Sequence, residues 1–77
     1  MVTIEQLKQI ALKYLKIKEL KKFCIILLHL DENNKDIIFY KLCNERIQIY
    51  NKNDNSTNKI QKYIEFCNAI IRLIQYS

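Results

Sequence analysis

The sequence predicts an α+β domain of helix, three antiparallel strands and helix, with both helices packed on one face of the sheet. Three observations predict it. Apolar residues recur at helical spacing towards both ends of the chain. The centre holds one long apolar run, Phe23 to Leu30, with aromatic and β-branched residues at its start. The segment Arg46-Ile47-Gln48-Ile49-Tyr50 alternates polar and apolar residues, as a half-exposed strand does. With 77 residues there is room for a single domain, 1–77, and no second core.

Thr3 is placed to cap the first helix, with Gln6 completing a capping box and Val2 and Leu7 at hydrophobic-staple positions. Ile4, Leu7, Ala11 and Tyr14 form its apolar stripe, and Lys16 and Lys18 suit a helix ending near Ile17. The first strand runs from about Lys22 to Leu30, and Asp31-Glu32-Asn33-Asn34-Lys35 forms a hairpin turn. A second strand covers Asp36 to Cys43 and a third Arg46 to Tyr50. A polar loop from Asn51 to Asn58 leads to the last helix, capped by Asn58 or Thr57, whose stripe is Ile60, Tyr63, Ile64, Cys67, Ile70, Ile71 and Ile74.

The hairpin register sorts residues by face. A two-residue turn at Asn44-Glu45 pairs Cys43 with Arg46, Lys41 with Gln48 and Phe39 with Tyr50, all on one open face. Ile38, Tyr40, Leu42, Ile47 and Ile49 then form the core face. Counting back through Asn33-Asn34 adds Lys22, Cys24, Ile26, Leu28 and Leu30 to the open face.

Thirteen Lys and Arg against eight acidic residues give a net charge of +5, which favours a polyanionic partner. Cations beside exposed aromatics on a β-surface suit RNA, whose phosphates take the charge and whose unstacked bases can stack. Catalytic and metal-binding signals are poor. His29 is the one histidine, there is no glycine for a phosphate loop, and Cys24, Cys43 and Cys67 lack paired metal-ligand spacing. The chain therefore reads as a non-enzyme with no cofactor, its cysteines reduced thiols packed as small hydrophobes. No signal peptide or membrane-inserting segment is evident, so a cytoplasmic protein is expected.

Several stretches resemble one family. Thr3-Ile4-Glu5-Gln6-Leu7, Tyr40-Lys41-Leu42 followed by Asn44-Glu45, Ile49-Tyr50 with Lys52 and Asp54, and Lys59-Ile60 through Glu65-Phe66 to Ile71-Arg72-Leu73-Ile74 are similar to the 9 kDa subunit of the signal recognition particle's Alu domain. The resemblance spans Thr3 to Ile74 and has no single diagnostic motif. It implies the helix–three strands–helix fold and a heterodimer with the particle's 14 kDa Alu-domain protein. That pair forms one continuous sheet, binds the Alu portion of the particle's RNA, and slows elongation on the ribosome during targeting to the endoplasmic reticulum. Lys41 falls on a family RNA-facing lysine.

The expected RNA-binding residues are thus Lys21, Lys22, Lys41, Arg46 and Lys52, with Phe39 and Tyr50 as stacking candidates and Leu28 and Leu30 as candidate partner contacts. The 14 kDa relative shares the fold but has a longer loop after the first strand, and the short Asp31–Lys35 turn favours the smaller subunit. The competing expectation is a protein-interaction module that homodimerises through its sheet face without touching RNA.

Overall fold

The computed structural model describes residues 2–52 and 58–76 and is helical throughout: α1 (Ile4–Tyr14), α2 (Ile17–Leu28), α3 (Lys35–Lys52) and α4 (Asn58–Tyr76). The described residues contain no strand, so the α+β sheet expected from the sequence is replaced by a four-helix domain. The first expected strand is α2. The second and third are one continuous helix, α3, and Asn44-Glu45, expected as a turn, lies in its middle. The expected cap at Thr57 lies outside the described residues, and Asn58 is the first residue of α4.

The termini of α1 follow the local chemistry. The Gln6 amide donates to Thr3 Oγ1 at 3.2 Å, and the Thr3 amide donates to Gln6 Oε1 at 3.0 Å, which is the capping box. Val2 and Leu7, the staple pair, are fully buried. The helix stops at Tyr14 because Leu15 and Lys16 are extended, earlier than the end expected near Ile17. Glu19 Oε2 accepts the Lys16 amide at 3.2 Å, so the residue three positions into the next helix secures its start.

Asp31 organises the α2–α3 connection. Its carboxylate accepts the Asn33 amide and the Asn34 side chain, both at 3.0 Å, and the Asn34 carbonyl takes the first bond of α3 from Ile38. Lys35 is buried at the start of α3 and ion-paired with Glu32 at 2.9 Å.

Helices α3 and α4 pack as an antiparallel pair, and α1 lies against α4 and α2. No Cα of α2 comes within 8 Å of a Cα of α3 or α4. Side chains span that gap. The Phe23 ring of α2 meets Phe39 of α3 at 5.6 Å and Phe66 of α4, edge-on, at 5.3 Å. Leu27, Cys43, Cys67 and Ile70 complete this part of the core.

Helical periodicity also reverses the expected faces. Phe39 and Cys43, assigned to the open face, are buried, whereas Tyr40, Leu42 and Ile49, assigned to the core face, are exposed. In a strand, Phe23 and Ile25 would share a face; in α2, Phe23 is 6% exposed and Ile25 57%. Phe23→Ala is therefore expected to cost about 3 kcal/mol or more, and Ile25→Ala less than about 1 kcal/mol. Urea unfolding of the two variants checks this, and equal costs would favour the strand.

Candidate functional site

The separation of α2 from α3 opens a trough of about 400 Å³, floored by α4. Phe66, Cys67 and Ile70 of α4 lie along the floor with the Phe23 and Phe39 rings. Ile26 of α2 and Leu42 of α3 line the opposite walls and stay 44% and 38% exposed. On α4 the lining runs from Lys59 to Ile70, and on α3 from Phe39 to Tyr50. Each stretch covers three helical turns, roughly 17 Å at 1.5 Å per residue. The trough is long, apolar within and open to solvent.

Its rim is charged. Lys22, Arg46 and Lys59 contribute three cations from three different helices, against the single carboxylate of Glu19. That carboxylate is already engaged, accepting the Lys16 amide. Partial burial, followed by the charge and hydrogen bond of Glu19 and the neighbouring Tyr50, holds the Tyr63 phenol above its ordinary value; Arg46 pulls the other way. Tyr63 stacks obliquely on Tyr50 at 5.9 Å, closing the end of the trough where α3 gives way to α4.

Cys43 of α3 and Cys67 of α4 are both buried and both line the trough. The neighbouring Cys67, followed by burial, pushes the Cys43 thiol up; Cys43 in turn lowers Cys67, which burial opposes and the Arg46 charge assists. Cys24 stands apart, half-buried on α2. No cluster of three or more metal-ligating side chains exists among the described residues.

The expected site residues do not form one surface. Lys21, Lys22, Lys41, Arg46 and Lys52 are all exposed, on helices rather than on a sheet. Lys22 and Arg46 border the trough, while Lys41 and Lys52, three turns apart, share the opposite face of α3. Phe39 is a core residue, 3% exposed, and unavailable for stacking on a base. Tyr50 is half-buried against Tyr63. Leu28 is 83% exposed at the end of α2, and Leu30 packs partly against the core. Reading by strand alternation missed the trough; Phe39, Cys43 and Tyr50 at helical spacing were the signal for it.

No family model, curated protein or solved structure matches the chain. No described helix is long and apolar enough to cross a membrane.

The raised phenol of Tyr63 gives the domain's stability a pH dependence. The stabilisation is full below the ordinary phenol value, about 10, and is lost as pH rises through the higher folded value. Thermal melts across this range should show alkaline destabilisation that is smaller in Tyr63→Phe. Identical pH profiles for the two proteins would break the assignment.

Proposed function

We propose that the chain is a non-catalytic interaction module whose trough between α2 and α3 receives an amphipathic helix of a partner protein, with acidic residues flanking that helix's apolar stripe. The observation that carries this reading is the gap itself: α2 is held off α3 and α4 by aromatic rings, leaving an apolar floor three turns long. A helix presents anchors at i, i+3/i+4 and i+7, and that spacing repeats along Phe39, Leu42, Cys43, Arg46 and Tyr50 on the receiving side. Charge complementarity selects the partner's flanks, because three rim cations face one carboxylate that is already bonded.

The experiment uses a designed helix of about 20 residues with leucines on one face, in one version flanked by Glu and in another by Lys. The Glu-flanked helix should bind and the Lys-flanked one should not. Leu42→Asp and Arg46→Glu should each weaken binding by about tenfold or more, the effect of roughly 1.4 kcal/mol. Equal binding of both peptides, or binding indifferent to Leu42 and Arg46, would falsify this reading. Sedimentation without peptide tests the alternative occupant, a second copy of the chain.

A second reading is RNA binding: pairing with the 14 kDa Alu-domain protein of the signal recognition particle on the Alu portion of its RNA, in support of elongation arrest. It is favoured by the net charge of +5 and by the exposure of Lys21, Lys22, Lys41, Arg46 and Lys52. Here it must act through cations on helices, because the described residues supply no strand to a shared sheet. Lys41→Ala with Lys52→Ala should lower RNA affinity and flatten its salt dependence by roughly one unit of slope per lost phosphate contact. An unchanged slope in the double variant removes these two residues from the reading.

A further inference from the structure

The geometry points to a second surface, separate from the trough: the outer face of α2 docks reversibly on an anionic lipid bilayer, with the helix lying flat at the level of the headgroups. Every exposed residue of α2 is either a lysine (Lys18, Lys21, Lys22) or a large aliphatic (Ile17, Ile25, Ile26, Leu28). A water-facing helix side ordinarily carries polar and charged residues throughout. The one acid of α2, Glu19, is half-buried and holds the Lys16 amide.

Helical spacing divides these residues between two sides. Phe23 and Leu27 are buried in the core, and Lys22 and Ile26 border the trough. Ile17, Leu28, Lys21, Ile25 and Lys18 fall, in that angular order, on one arc of about 100° that turns away from Phe23 and Leu27. The arc runs the length of the helix, roughly 17 Å at 1.5 Å per residue. Ile17, Ile25 and Leu28 are each more than half exposed. Among the described residues, no ion pair occupies Lys18 or Lys21.

Charge complementarity calls for an anionic partner, because the arc carries cations and no acid. The mixture of side chains selects lipid among such partners. Lys21 lies between Leu28 and Ile25 on the arc, so a protein laid on this face would bury its ammonium along with them, and lysines are depleted in such interfaces. RNA would pair with the lysines, but Ile17, Ile25 and Leu28 offer its bases no aromatic face to stack on. A bilayer surface satisfies both kinds of residue at once. The aliphatic side chains enter the acyl boundary, while the lysine stems follow them and place their ammonium groups at lipid phosphates. Twelve residues are too few to cross a bilayer, so the helix lies on it.

The test mixes the intact chain with vesicles of phosphatidylcholine alone, or with about a third of the lipid replaced by phosphatidylserine, and measures co-sedimentation at low and high salt. Binding should require phosphatidylserine and weaken with salt. Ile25→Ser with Leu28→Ser, and separately Lys18→Glu with Lys21→Glu, should each lower it by about tenfold or more. Lys8→Glu with Arg72→Glu makes the same change of net charge on exposed residues of α1 and α4 and should lower it less. The chain has no tryptophan, so Leu28→Trp provides a single reporter at an exposed position. Its fluorescence should shift to the blue on phosphatidylserine vesicles and be quenched by doxyl-labelled lipid, whereas Ile49→Trp on α3 should do neither. Thermal melts of the variants confirm that they are folded. The proposal is overturned if the chain ignores both vesicles, or if the two charge variants lose equally, which assigns the binding to net charge. Binding that follows the lysines but ignores Ile25 and Leu28 describes a nucleic-acid-like polyanion site and also overturns it, as does an equal shift of both tryptophans.

Discussion

The Phe23 ring is the contact on which the arrangement depends. It reaches Phe39 and Phe66 at once, and so joins α2 to the α3–α4 pair across a distance that the backbones do not close. The sequence makes such spacing natural. There is no glycine in the chain, so helices meet through side chains of some bulk rather than by close backbone approach. An aromatic spacer holds the elements together at about one ring's depth. It also leaves apolar surface on either side of itself that four helices of this length do not cover.

Helix α3 shows the consequence most plainly. Its core face is Phe39, Cys43 and Ile47, yet Ile37, Tyr40, Leu42 and Ile49 are exposed. A helix apolar on most sides is ordinarily buried on most sides. The four described helices leave this surface uncovered. Leu42, on the trough wall, is the portion of that surplus that faces Ile26 across a defined space. A partner helix laid there would cover both walls at once, whereas association through Ile37 on another side of α3 would cover one element alone.

What could be read from the sequence followed the strength of local signals. The α1 capping box and staple are set by four residues with their own hydrogen bonds and packing, and they are present as expected. The stripe of α4 includes Cys67 and Ile70, which are buried. The centre was legible in two ways. An unbroken apolar run such as Phe23–Leu30 fits a buried strand or a helix equally by pattern, and β-branched content is a weak guide once packing decides. Arg46 to Tyr50 alternates over five residues, too short a window to outweigh the helical spacing of Phe39, Cys43, Ile47 and Tyr50 around it. Glu19 was a further sign, because a carboxylate three residues after Lys16 can secure a helix start just before that run. The rim cations were legible as charge but not as a set, since Lys22, Arg46 and Lys59 converge only in three dimensions.

The floor of the trough and the α3–α4 contact share α4, and this restricts how the trough can change shape. Cys67 lies one residue from Phe66, whose ring packs on Phe23 and so helps fix the separation of α2 from the floor. α3 and α4 hold each other by direct packing, whereas α2 meets both through the Phe23 ring, so a shift of α2 alters the trough without disturbing its floor. Arg46 stands on the rim, and its charge also reaches Cys67 on the floor, where it opposes the effect of burial on that thiol. An acidic group bound at the rim would compete for that guanidinium and weaken its effect on the floor. Occupancy of the trough and the electrostatics of its floor are therefore linked through one side chain.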